Sequence, residues 1–295
     1  MIEELKTFIA VVEFKNFTKA AHYLNLSQPS VSNHIKSLEI YFNVTIIDRS
    51  IKQKKIYITQ SGNILYKKAK EIIQLLDLTK DELNNTTDSI KGHLRIGASL
   101  TIGEYILPRF LSKFTVQYPD IEIEVFIENS SSICNRVSNI SLDIGFIEGS
   151  HAEQNLLQEF FYEDKMVIAL PYDTYINEDN FSLDILRDIT WIGREKGSGT
   201  REYLDLFLYN NKISPKNLIV FGSNYAVKEA VKNNIGVTLM SNLIASSAYE
   251  SKDLLFIPVE DNFTRNFSYV VPNNITLSRA TQVFINEFKK YTTSM

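Results

Sequence analysis

Ser27–Glu39 reads SQPSVSNHIKSLE, and the reading of this stretch decides the fold. Val31, Ile35 and Leu38 recur at i, i+4 and i+7, so one face of a helix is apolar. Ser27 stands where an N-cap belongs, and Pro29 falls in the first turn, where a missing N–H costs nothing. The other face carries Gln28, Ser30, Ser32, Asn33, His34 and Lys36, with no patterned acidic partner. Such a face is either merely solvated or meets a polar surface of another molecule. Gln, Asn and Ser can donate to and accept from base edges, and Lys meets phosphate, so a DNA major groove suits it.

The neighbouring segments favour the second reading. Leu5, Phe8, Ile9 and Val12 fall at helical spacing, and Asn16-Phe17-Thr18 interrupts them, with Thr18 a candidate cap for the next helix. Ala20, Ala21 and Leu24 make a short small-residue face, and Asn25-Leu26-Ser27 is the turn. The pattern is helix-turn-helix. Residues 43–58, NVTIIDRSIKQKKIYI, put two β-rich runs around a basic tip holding Arg49, Lys52, Lys54 and Lys55, which reads as a wing hairpin. Net charge over the whole chain is −4, yet residues 1–58 hold eight Lys/Arg against five Asp/Glu. A basic module on an acidic body implies an anionic partner at the N-terminus.

From Thr59 the helical period returns. Ile64, Leu65, Ala69, Ile72, Ile73, Leu75, Leu76 and Leu83 form one broad stripe, wider than a local fold needs, which predicts pairing with another chain. The polar run NNTTDSIKG (84–92) reads as a hinge. Beyond it strands and helices alternate. HLRIGAS and IEIEVFIE read as strands, TIGEYILPRFLSKF as a helix, SSICNRVSN as a short helix and LDIGFIEG as another strand. KMVIAL opens a second series through WIGR, a helix over 200–211, NLIVFGS, a helix over 224–233 and GVTLM. FSYVV near 267 and a helix over 275–291 come last. This rhythm predicts α/β architecture with doubly wound sheets.

The N-terminal residues resemble the winged helix-turn-helix of LysR-type transcriptional regulators. The matching segments are FIAVVEFKNFTKAAHYLNLSQPSVSNHIKSLE, the wing, and ITQSG. The likeness runs through the whole chain, since a dimerising linker helix and a two-lobed effector domain follow in order. One departure is Asn33, where that family very often has Arg, and Asn favours adenine over guanine. A second is the short, Lys-rich wing. The resemblance implies a DNA-binding domain over 1–58, a linker helix and hinge over 59–91, and a periplasmic-binding-protein-like effector domain over 92–295. Its first lobe would span about 92–162 with 268–295, and its second about 163–267. It implies double-stranded operator DNA, a small-molecule effector, a second copy of the chain (in a dimer or tetramer) and RNA polymerase as partners, with no cofactor and no membrane. Ser27, Gln28, Pro29, Ser30, Ser32, Asn33, His34 and Lys36 would meet the major groove; Arg49, Lys52, Lys54 and Lys55 would meet backbone or minor groove.

Four segments in the C-terminal part join small hydroxyl residues to a helix start: GASLTIG with Ser99 and Thr101, ENSSS with Asn129 and Ser130, GSGTR with Ser198, Thr200 and Arg201, and GSN with Ser223. Each alone is an ordinary cap; together they predict an anion-binding cleft between the lobes. Arg201 can fork onto an oxyanion or pair with Glu202 or Asp205. Glu148 would repel an anion in that cleft, or read an amine. GREKGSGTRE and GASLTIGEYILP are similar to the branch of the family tied to sulfur assimilation, cysteine metabolism and carbon fixation, implying a small anion or acidic metabolite.

Other classes fit less well. GASLT nearly matches the G-x-S-x-G of serine hydrolases but ends in Thr, and residues 152–295 hold no His to complete a triad. His22, His34, His93 and His151 are scattered and no C-x-x-C exists, which does not suggest a metal site. GSGTR lacks the Walker lysine. A solute-binding module without a DNA role would leave the first ninety residues without a purpose. Cys134 is the single cysteine, so no intrachain disulfide can form and a reducing, cytoplasmic setting is expected. No apolar run nears the ~20 residues of a membrane span, and the start MIEELK does not read as a signal peptide.

Overall fold

A computed structural model describes residues 1–50, 55–84, 90–149, 155–172, 181–249, 253–259, 263–273 and 275–293. The chain divides into two compact units, Met1–Asp88 and Ser89–Met295. In the first, α1 (Ile2–Phe14), α2 (Phe17–Tyr23) and α3 (Gln28–Phe42) pack around Phe8, Val11, Ala20, Ala21, Val31, Ile35 and Leu38. The cap of α2 is Asn16, whose side chain accepts from Lys19 N–H, and not Thr18 as the sequence suggested. The cap of α3 is Ser27, accepting from Ser30 N–H at 3.1 Å.

β1 (Ile47–Ser50) and β2 (Lys55–Ile58) pair antiparallel to form the wing. Glu39, near the end of α3, holds its base by accepting from Ile46 and Ile47 N–H at 2.9 and 3.3 Å. α4 (Gln60–Asn84) then starts at Thr59, whose Oγ1 accepts from Gly62 N–H and donates to Thr45 O. A Cβ at position 62 would lie 2.2 Å from Ile46 O, so this turn of the helix can approach the wing only with glycine there. The long apolar stripe of α4 is divided. Leu65 and Ala69 are buried in this core, while Ile64, Ile72, Leu75 and Leu83 face outward and exposed.

The second unit contains β3 (Gly92–Ala98), α5 (Leu100–Tyr105), α6 (Leu107–Gln117), β4 (Ile121–Ile127), α7 (Ser130–Ser138), β5 (Ile144–Glu148) and β6 (Leu156–Pro171). Next come β7 (Thr190–Arg194), α8 (Gly199–Asn210), β8 (Asn217–Phe221), α9 (Asn224–Lys232), β9 (Thr238–Ser241), α10 (Asn242–Tyr249), β10 (Leu254–Pro258), β11 (Thr264–Pro272) and α11 (Arg279–Thr293). The helix expected over 101–114 is in fact two, broken at Ile106 before Pro108, which lacks the N–H to continue the first.

Two lobes share β6. Its first part, through Lys165, pairs with β11, which pairs with β5, next to β3 and β4. From Met166 onward it pairs with β9 and β10 instead. β7 pairs parallel with β8 and bridges through Trp191 to Val237, the residue before β9. The strand change falls between Lys165 and Met166.

Each lobe has its own core. In the first, Phe110, Phe114, Phe146, Phe284 and Phe288 pack between sheet and helices, Phe110 meeting Phe284 and Phe288 edge to face at 5.2 and 5.1 Å. Such pairs add about 0.5–1.5 kcal/mol each beyond area burial. In the second, Trp191 is fully buried against Phe207 at 5.8 Å and donates from Nε1 to Leu186 O.

Candidate functional site

The polar face of α3 is largely open. Ser27, Gln28, Pro29, Asn33 and Lys36 are exposed, while Ser30, Ser32 and His34 are half-buried. Gln28 Nε2 donates to Ser32 Oγ at 3.0 Å, and Ser27 and Ser30 hydroxyls meet at 2.7 Å. His34 departs from the outward orientation that the sequence suggested. Its Nδ1 lies 2.8 Å from Thr7 Oγ1 of α1, and that hydroxyl gives its own proton to Glu3 O. Nδ1 must therefore carry the hydrogen in this contact, and the ring braces α3 against α1. In the wing, Lys52 and Lys54 lie outside the described residues; Arg49 and Lys55 are described by backbone alone, on paired strands.

In the second unit the four helix starts gather where the lobes meet, around a buried carboxylate. Glu148 ends β5. Its Oε1 accepts from Thr101 N–H of α5 at 3.1 Å, and its Oε2 from the Thr200 hydroxyl of α8 at 3.0 Å. Arg265 of β11, fully buried, donates from Nη1 to Glu148 Oε2 at 2.5 Å and to Thr200 Oγ1 at 2.9 Å. Its Nη2 reaches Thr101 Oγ1 at 3.3 Å, and its Nε donates to Asp164 Oδ2 at 2.8 Å. Ser241 completes Asp164 by donating at 2.7 Å. Burial pushes the Glu148 carboxyl up, but the Arg265 charge and the Thr101 hydrogen bonds outweigh it and hold it below the usual range. Burial prevails at Asp164, whose carboxyl is raised despite Arg265, because one cation cannot fully compensate two buried anions.

The remaining expected residues divide by what they touch. Ser130 of α7 donates to Glu148 O and accepts from Glu148 N–H. Asn129 caps α7 through Oδ1 and donates from Nδ2 across the lobes to Glu195 Oε1 at 3.2 Å. Ser198 is buried at the start of α8 and makes no side-chain cap bond. Ser223 caps α9 by accepting from Ala226 N–H. Arg201 takes the carboxylate pairing: Nε donates to Asp205 Oδ1 at 2.8 Å and Nη1 to Arg194 O at 3.1 Å, so its fork is engaged within its own lobe. Ser99 is 2 % exposed and its hydroxyl makes no hydrogen bond, though it lies near enough to Glu148 to favour the charged carboxylate.

Sequence reasoning missed Arg265, Asp164 and Ser241, and with them Asn224, which accepts from Arg194 Nη1 at 2.7 Å and donates to Thr101 Oγ1 at 3.3 Å. The available signal was a charge at an inward position of an alternating strand, T-R-N-F-S-Y, once β11 is extended back from Phe267 to Thr264.

Two family matches cover almost the whole chain. Residues 2–63 match the bacterial regulatory helix-turn-helix proteins of the lysR family, and residues 87–293 match the LysR substrate binding domain. The HTH-type transcriptional regulator CysL of Bacillus subtilis is 41% identical over 288 residues, spanning 97% of this chain and 95% of its own length. A full-length OxyR variant from Pseudomonas aeruginosa superposes with a TM-score of 0.78 over 98% of this chain and 94% of its own; at 17% identity the likeness is one of fold. The CcmR regulatory domain from Synechocystis, in complex with 2-PG, superposes at 0.64 with 25% identity over 70% of this chain and 99% of that domain. The chain belongs to the LysR family of transcriptional regulators: it is a DNA-binding regulator with an effector-binding domain, and not an enzyme.

Proposed function

We propose that this regulator responds to a small anion or acidic metabolite, of the sulfur-oxyanion or phosphorylated-acid kind, held between the lobes of the effector domain. The observation that carries the reading is the buried Ser99 hydroxyl at the start of α5, next to Glu148, on which the starts of α5, α7 and α8 converge. Ser99, Asn129, Ser130 and Ser198 are the residues that would surround it, with Thr101 and Thr200, which already hold Glu148, at its border and Arg201 and Ser223 farther out. The bound 2-PG of the CcmR domain supports the ligand class.

In the same reading the polar face of α3 enters the major groove, with Gln28, Asn33 and Lys36 foremost, and the wing lysines meet phosphates. The exposed stripe of Ile64, Ile72, Leu75 and Leu83 supports pairing of α4 with a second copy, so that two winged helices read a pseudo-palindromic site. RNA polymerase at the promoter is the further partner, and the cytoplasm the setting; among the described residues no helix is long and apolar enough to cross a membrane.

The test is a melt of the full-length chain against sulfite, sulfate, thiosulfate, phosphate, O-acetylserine and 2-phosphoglycolate, with wild type and Ser99→Ala. Trp191 is the single tryptophan and sits in the effector domain, so its fluorescence isolates that domain's transition. A ligand at ~100 times its dissociation constant adds about 2.7 kcal/mol. A shift seen in wild type and weakened in Ser99→Ala is expected. No shift with any of these anions overturns the reading.

A further inference from the structure

The position between the starts of α5 and α8 is already filled, by the chain itself. Both oxygens of Glu148 are engaged, by a backbone N–H of the first lobe (Thr101), a hydroxyl of the second (Thr200), and a guanidinium on β11 (Arg265). Glu148, Thr101, Thr200 and Arg265 are all nearly inaccessible to solvent. A guanidinium, a hydroxyl and an amide N–H aimed at one carboxylate are the donor set of an oxyanion-binding site. Asp164 holds Arg265 from the other side through Nε, so the guanidinium is fixed whether or not Glu148 is present.

The backbone around Glu148 fits the same closed arrangement. Gly199 opens α8 directly against it: a Cβ there would lie 2.5 Å from both Glu148 Cβ and Glu148 O. Ser131 N–H of the first lobe donates to Gly197 O of the second at 3.0 Å, beside the Asn129–Glu195 bond. A buried ion pair is seldom a net stabiliser compared with apolar packing, and its established use is to specify one arrangement among several. Here the pair lies within the first lobe, between β5 and β11, and the Thr200 hydroxyl ties it to the second, so the arrangement it specifies is the one in which the lobes meet.

We propose that Arg265, the Thr101 N–H and the Thr200 hydroxyl form an oxyanion-binding site whose resident ligand is the Glu148 side chain, and that this tethered carboxylate holds the lobes closed without any effector. Being tethered, it outcompetes free carboxylates at ordinary concentrations, since the second partner of a linked pair is present at a high effective concentration. An external anion enters this position only when Glu148 leaves it. The inference stands apart from the identity of the effector, because it concerns the chain with nothing bound.

The experiment replaces the tethered carboxylate with a free one. Full-length wild type, Glu148→Ala and Glu148→Gln are melted by Trp191 fluorescence in sodium formate and in sodium chloride of equal ionic strength. Glu148→Ala should melt lower than wild type in chloride and recover at least half of that loss, saturably, in formate. Wild type, whose site is full, and Glu148→Gln, whose amide occupies the space, should show no formate-specific shift. Absence of a formate-specific recovery in Glu148→Ala, or an equal shift in wild type, overturns the proposal. Should Glu148→Ala not accumulate as folded protein, Thr200→Val carries the test through hydrogen exchange. Loss of the second lobe's donor should speed exchange of the Ser131 amide by about tenfold or more while Ile96 in β3 is unchanged. Unchanged exchange at Ser131 overturns it.

Discussion

Replacing Arg265 by Met removes the one cation shared by Glu148 and Asp164 while keeping an unbranched side chain of similar reach. Four hydrogen bonds go with it, to Asp164, Glu148, Thr200 and Thr101. Both carboxylates stay where they are, nearly inaccessible to water. Breaking a buried pair by deleting one partner costs about 3–5 kcal/mol. Two anions are stranded here, so the upper end of that range, about 5 kcal/mol, applies near neutral pH. In a domain of about 200 residues that is a fall of roughly 10–20 °C in melting temperature. It is also a large part of the total stability of an ordinary domain, about 5–15 kcal/mol.

The cost must depend on pH with a definite sign. In wild type the Glu148 carboxyl lies below its unfolded value. Its contribution is present above the unfolded value and is lost as pH falls through the folded one. Without Arg265, burial outweighs the hydrogen bonds from Thr101, Thr200 and Ser241 that remain and raises both carboxyls. Their favourable state becomes the protonated one, present in acid and lost as pH rises through the raised values. The gap between wild type and Arg265→Met therefore narrows from slightly alkaline to mildly acidic conditions. Urea unfolding of the full-length chain, followed by Trp191 fluorescence on both sides of neutrality, measures the gap directly. A cost below about 1 kcal/mol, or one that is the same at both pH values, would refute a network in which one guanidinium neutralises two buried carboxylates.

Asp164→Asn should behave quite differently. The Asp164 carboxyl is already raised, so its stabilising form is lost as pH rises through that raised value, and the neutral amide removes the loss. Stability near neutral pH should stay within about 1 kcal/mol of wild type, and the fall in stability as pH rises above the ordinary carboxyl value should be shallower in the same urea assay. Ile35→Ala, in the core of the winged helix, should cost about 2–5 kcal/mol in that unit and leave the Trp191 transition in place; parallel far-ultraviolet and fluorescence melts separate the two. Lys54→Ala should weaken binding to every DNA sequence alike and lower the slope of log affinity against log salt by about one. A change in base preference with an unchanged slope would reverse the roles assigned to wing and helix.

What the sequence made legible was local. Ser27, Pro29 and the Val31-Ile35-Leu38 spacing mark α3 because cap and period are properties of adjacent residues, and the period that returns from Thr59 marks α4 in the same way. The first part of β6 was missed. LLQEFFYED carries acids at Glu159, Glu163 and Asp164 that spoil its alternation, and only its pairing with β11 makes it a strand. The residues around the cleft were found singly as cap candidates, yet their true partners are distant in sequence. Arg265 meets Thr101 across 164 positions and Glu148 across 117. No pattern within a window reports such contacts. The same blindness explains Arg201: its sequence allowed an oxyanion fork, and Asp205, one turn along the same helix face, reached it first.

β6 has a mechanical consequence. Sixteen residues run without interruption from one lobe into the other, about 50 Å at ~3.3 Å per residue, with sheet partners exchanged between Lys165 and Met166. The ribbon is bonded along one edge as far as Lys165 and along both beyond it, which leaves it stiffer against bending in its own plane than against twisting about its long axis. The lobes are thus coupled like the two ends of a torsion bar, and a change at the cleft is delivered chiefly as a rotation of one lobe against the other. In a paired molecule, rotation at that bar would reorient whatever the far lobe touches while barely altering its distance, so angle, more than separation, is the quantity through which this effector domain would speak.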